Sequence, residues 1–136
     1  MLDSAKKVIS KKTRGKYISE ISKWENSLII VSEEIKFLGK LLSTGIFEPN
    51  IPNLYERLQQ YSKKLNDLKS EEILLGKEIE KHKTDFAKEL EEEQKDSLIK
   101  KTHIQLRKNI NAFLKINSVL KLEIFNFTGN ILKKSR

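Results

Sequence analysis

Apolar residues recur along this chain at alternating steps of four and three, in three separate runs. The first run is Tyr17, Ile21, Trp24, Leu28, Val31, Ile35, Leu38 and Leu42. The second is Leu54, Leu58, Tyr61, Leu65 and Leu68, then Glu72, then Leu75, Ile79, His82 and Phe86. The third is Ile99, His103, Leu106, Ile110, Phe113, Asn117, Leu120, Ile124, Phe127 and Ile131. This heptad spacing puts each set on one stripe of an α-helix and demands a helical partner to cover it. It predicts three long helices, over residues 16–44, 53–91 and 97–133.

The boundaries follow from turn chemistry. Gly15 precedes the first stripe, and Gly45 suits the glycine position that follows a helix C-terminus. Pro49, Asn50 and Pro52 mark a loop, and Asn53 with Glu56 reads as a capping box opening the second helix. The second boundary carries no glycine or proline, because none occurs between Gly76 and Gly129. The phase of the stripe locates it. Extending the second register past Phe86 meets Glu89, Glu93, Asp96 and Lys100, all polar, and the third stripe resumes one position out of phase. A reversal within Glu91–Ser97 accounts for both facts, with Asp96 or Ser97 as N-cap.

Folding the chain at these two places matches the stripes end to end. Across the second and third helices, His82 faces His103, Leu65 faces Leu120, and Leu58 faces Phe127. Across the first and second, Leu42 pairs with Leu54, Leu28 with Leu68, and Tyr17 with Ile79. The predicted fold is all-α: an up-down-up antiparallel three-helix bundle with coiled-coil-like packing, formed by a single domain over residues 16–134. Residues 1–15 form a basic N-terminal segment, placed to lie over the acidic tip of the longer second hairpin.

Composition narrows the function classes. The 136 residues contain no cysteine, which removes disulfides, thiolate zinc sites and cysteine nucleophiles. No apolar run approaches the roughly 20 residues that span a bilayer, and no secretory h-region opens the chain, so a cytoplasmic location is expected. The net charge of +8 is concentrated at the ends. Lys6, Lys7, Lys11, Lys12, Arg14 and Lys16 against Asp3 give +5 in residues 1–16, and Lys133, Lys134 and Arg136 give +3, leaving a neutral body. Lysines outnumber arginines 23 to 4, a poor set for base-specific readout, which favours the bidentate guanidinium. The basic tails are therefore candidates for nonspecific contact with nucleic acid or an anionic surface.

Four seam positions carry candidate chemistry. His82 and His103 are the two histidines of the chain, and the hairpin puts them in one layer. Facing histidines bind metals when carboxylates complete the shell, so they are candidate ligands, although two side chains alone seldom hold a metal. Glu72 and Asn117 interrupt the apolar stripes. Single polar seam residues typically fix register or partner number at a cost in stability. The sequence has no nucleophile motif, phosphate loop or zinc-finger spacing, so neither catalytic residues nor a cofactor are predicted. Off-seam apolar residues, among them Ile29, Ile30, Phe37, Leu41, Leu74, Leu114, Leu122 and Phe125, exceed what one core needs. The surplus suits a contact with another protein or a second copy of this chain.

The stretch ISEISKWENSLIIVSEEIKFLGKLL, followed by LLGKEIEKHKTDFAKEL, resembles a group of small uncharacterised bacterial helical proteins. Those proteins pair a tryptophan-bearing first helix with a later EIxxHxxxL segment. The resemblance covers residues 18–90 and implies a helical bundle without an assigned activity. Some members carry histidines near the start of the first helix, where Tyr17 stands here. The function expected from the whole sequence is a non-enzymatic scaffold or protein-interaction module.

Overall fold

The computed structural model describes residues 10–89 and 96–132. Three helices account for nearly all of them: α1 (Lys11–Thr44), α2 (Leu54–Glu89) and α3 (Asp96–Ile131). Each runs roughly 50 Å at ~1.5 Å per residue, and each packs against the other two. All eight residues of the first predicted stripe are buried on α1, and all ten of the third are buried on α3. On α2, Leu65, Leu68, Leu75, Ile79, His82 and Phe86 are buried, with Leu58 and Tyr61 partly so.

Side-chain contacts fix the directions. His82 meets His103, and the ring of Tyr61 packs on that of Phe127 at 5.4 Å, so α2 and α3 are antiparallel. Glu20 reaches His103 while Glu34 reaches Asn117, so α1 and α3 run parallel with a constant offset. The result is the up-down-up three-helix bundle that the stripes predict. Residues 91–95 of the stretch Glu91–Ser97, where the reversal is expected, lie outside the described residues; α3 already includes Asp96 and Ser97, so neither is its N-cap.

Three local expectations are corrected. First, α1 starts at Lys11 rather than near Lys16, because Ser10 takes the extended N-cap conformation and its hydroxyl accepts from the Thr13 amide at 3.1 Å. Gly15 lies inside the helix in open space. Residues 1–9 of the basic segment lie outside the described residues.

Second, Gly45 caps α1 as expected, its amide donating to the Leu41 carbonyl at 2.9 Å, but the left-handed conformation falls to Asn53 instead. Gly45 is extended (φ −64°, ψ 144°) rather than left-handed, and it is needed for room: a Cβ there would lie 2.5 Å from the Phe47 ring and 2.6 Å from the Leu41 carbonyl. Asn53 is the residue that takes the left-handed conformation (φ 56°), which asparagine tolerates better than most, and its carbonyl accepts from the Arg57 amide at 3.0 Å.

Third, α1 and α2 pair about one heptad away from the sequence register. Tyr17 packs on Phe86, with ring centroids 6.1 Å apart, rather than beside Ile79, and Glu25 pairs with Lys83 at 2.9 Å. The cause is the path between the helices. After Gly45 the chain continues extended, Phe47 bridges to Leu132, and the Glu48 amide donates to the Ile131 carbonyl at 2.8 Å. The turn comes only at Pro49 and Asn50, so α2 begins beyond the last turn of α1. The stripe of α1 therefore reaches level with Phe86, and the acidic tip at Glu91, Glu92 and Glu93 lies outside the described residues.

Candidate functional site

The largest concentration of buried polar groups lies where the three helices meet near the N-terminal half of α1. His82 and His103 are 1% and 0% exposed. His82 Nε2 and His103 Nδ1 are 2.9 Å apart, and His103 Nε2 lies 3.3 Å from Glu20 Oε1. Glu20 also accepts two bonds from Arg107, at 2.7 Å from Nε and 2.6 Å from Nη2. Tyr17 stacks on the His103 ring at 3.7 Å with an interplanar angle of 9°, and Trp24 closes the other approach at 4.7 Å. Four side chains thus form one relay, Arg107–Glu20–His103–His82, and the aromatic rings shield it.

The electrostatics follow from that packing. The Arg107 guanidinium holds the Glu20 carboxyl below the usual carboxylate range, and Glu20 in turn raises Arg107. Burial lowers both histidines, His103 to about 4, so the imidazoles are neutral at physiological pH. Burial likewise raises the Tyr17 phenol. The facing nitrogens of the two histidines are joined by a hydrogen bond, and Glu20 lies on the far side of the His103 ring. Among the described residues no group of three or more histidine, aspartate or glutamate side chains is placed to hold a metal ion.

The same arrangement recurs two heptads further along. Asn117 is 3% exposed and donates from Nδ2 to Glu34 Oε1 at 3.3 Å, while Lys121 pairs with the other oxygen of Glu34. In both layers a glutamate of α1 spans a buried polar residue of α3 and the cation one turn beyond it. The offsets are 83 and 87 residues each time: Glu20 to His103 and Arg107, Glu34 to Asn117 and Lys121. The seam positions of His103 and Asn117 were legible, but their glutamates were not. A signal existed in the 14-residue spacing common to Glu20/Glu34, His103/Asn117 and Arg107/Lys121. Glu72 belongs to neither layer. It is half-buried on α2, where burial raises its carboxyl and Lys69 and Lys36 oppose the rise.

Two surfaces remain. Along α1 and α3, Phe37 and Phe125 are 59% and 42% exposed with ring centroids 6.4 Å apart. They flank a shallow groove of about 290 Å³ completed by Glu33, Glu34, Leu38 and Lys121. At the start of α1, Lys11, Lys12 and Lys16 are exposed and Arg14 is half-buried, whereas Lys6, Lys7 and the basic C-terminal residues lie outside the described residues. No helix among the described residues is long and apolar enough to cross a membrane. Comparison with protein-family models, with curated proteins and with solved structures finds no match for the chain.

Proposed function

We infer that this protein is a non-enzymatic helical interaction module, and that its working surface is the α1–α3 face around Phe37 and Phe125. The observation that carries this reading is the pair of exposed, mutually packed phenylalanines. Phenylalanine is among the residues enriched at the cores of protein interfaces, and a rigid helical face presents its ring at little entropic cost. Ile30, two turns before Phe37 on the same face, is also exposed and extends the patch. The polar groups suited to chemistry are otherwise engaged: Glu20, His103 and Arg107 bind one another, as do Glu34, Asn117 and Lys121.

Sedimentation velocity over a wide concentration range, on the wild type and on F37K/F125K, tests the reading for a second copy of the chain as partner. Association lost in a variant of unchanged helicity supports it. A strictly monomeric wild type removes self-association and leaves a different protein as partner. Turnover of a nucleotide or ester panel that depends on a relay residue overturns the non-enzymatic class.

A second reading, nonspecific binding to nucleic acid or an anionic surface, has one observation in its favour. Lys11, Lys12, Arg14 and Lys16 crowd the end of α1 that is already positive by the helix dipole, and the first turn has no acidic residue. Fluorescence anisotropy with DNA, RNA and anionic vesicles at low salt tests it, and absence of binding there ends it.

A further inference from the structure

The relay has a fixed direction, and it ends at an unpaired acceptor. A carboxylate offers only lone pairs, so the proton between Glu20 and His103 sits on His103 Nε2. In a neutral ring His103 Nδ1 is then a lone pair, and the proton of the 2.9 Å contact belongs to His82 Nε2. That leaves His82 Nδ1 as a bare lone pair, and this atom is buried without a hydrogen-bond partner. Every other nitrogen of the two rings is already committed. A further proton therefore has one place to go, and once there it is a buried N–H with no acceptor.

The surroundings decide which way a charged ring would turn. On α2, Asp85 is the charge that favours a protonated His82, and Glu78 and Lys81 line a groove of about 970 Å³ together with His82. From α3, Lys101 and Thr102 line the same groove, and Arg107 faces the pair from beyond Glu20. From α1 come Tyr17 and Glu20, both on the His103 side. An imidazolium at position 82 thus finds a carboxylate, Asp85, on the groove side, where His103 is not among the lining residues.

The apolar core is also divided at this layer. The main cluster runs from Ile21 and Leu106 down to Leu42 and Ile124, whereas Tyr17, Phe86 and Ile99 form a separate cluster of three beyond the histidines. The histidine layer joins the two.

We propose that the end of the bundle formed by residues 11–20, 83–89 and 96–103 is an acid-opened element. A solvent proton taken up at His82 Nδ1 turns the ring toward the groove and Asp85, breaks the His82–His103 bond and releases the Tyr17–Phe86–Ile99 cluster, while the main core stays folded. Burial of both imidazoles places this event below the ordinary histidine range.

Residue-resolved hydrogen exchange at pH 7 and pH 4.5, corrected for intrinsic rates, tests the proposal. The expected result is that, at pH 4.5, amides near Tyr17, Phe86 and Ile99 lose at least tenfold more protection than amides near Leu38 and Ile124, which fall only with the global stability. In H82Q, whose amide still donates toward His103 but takes up no proton, that excess loss at the bundle end should disappear. D85N keeps the fold and should move the opening to lower pH. Nitrogen-15 spectra of the imidazoles at pH 7 should show both rings as Nε2–H tautomers. Uniform loss of protection along all three helices overturns the proposal, as does an acid opening that persists in H82Q, an unshifted midpoint in D85N, or an Nδ1–H tautomer at either histidine.

Discussion

Replacing Asn117 by leucine should make the bundle more stable and less exact. Asn117 is buried, its Nδ2 donates to Glu34 at 3.3 Å, and its Oδ1 has no hydrogen-bond partner. Three contributions set the balance. A leucine in this seam position gains about 2 kcal/mol of apolar burial. Removing an unmatched buried carbonyl gains at least about 1 kcal/mol. Losing one long hydrogen bond to a carboxylate costs about 2 kcal/mol. The net is a gain of about 1 kcal/mol, or about 4 °C in Tm for a chain of this size. Glu34 is not stranded, because Lys121 still holds it. The loss is in register: a slip of one heptad between α1 and α3 sets Glu34 against Ile110 or Ile124, which no longer differs from leucine at position 117 in polarity. Urea denaturation with sedimentation gives both readouts. A loss of more than 1 kcal/mol at unchanged m would overturn this balance, since it would mean the asparagine contributes more than its single bond suggests.

Other consequences can be checked together. Gly45→Ala should cost about 1–2 kcal/mol, because its Cβ meets the backbone carbonyl of Leu41, which cannot move aside cheaply. Gly76→Ala, in open space within α2, should gain about 0.5–1 kcal/mol, and urea midpoints compare the two directly. Stability should fall on acidification. With its Nδ1 accepting from His82, His103 takes up a proton only as that bond breaks. Burial holds it to about 4 when folded, against the ordinary range near 6.5 when unfolded, so the stability of its neutral form is complete above pH 6.5 and is lost as pH falls toward 4. That loss is about 3 kcal/mol from His103, with His82 acting in the same direction and Glu20 adding to it below the usual carboxylate range. Thermal melts between pH 7.5 and 4 measure it.

The sequence carried the helices because heptad spacing depends only on neighbours three and four residues away. Every stripe residue of α1 and α3 is buried for that reason, and the His82–His103 contact followed from matching the α2 and α3 stripes about one reversal. What failed depended on contacts distant in sequence. The α1–α2 register was displaced by the pairing of Glu48 with Ile131, which no local pattern announces. Gly15 read as a boundary because glycine usually breaks helices, whereas the Ser10 cap and the following turns carry α1 through it. The Glu20 and Glu34 layers stayed hidden because glutamates beside a heptad stripe look like ordinary solvent-facing charges. Only the parallel packing of α1 on α3, at a separation of more than 80 residues, gives them buried partners.

The claim on which all of this rests is that one chain closes into a three-helix bundle in this register. Zero-length carbodiimide cross-linking is the decisive experiment, because it joins only lysines and carboxylates already in contact. On an equal mixture of nitrogen-14 and nitrogen-15 protein, mass spectrometry should find Lys83 joined to Glu25 and Lys121 joined to Glu34, each within a single chain. Links between light and heavy chains alone would rule out closure within one chain, and Lys83 joined to no residue of α1 would rule out this register.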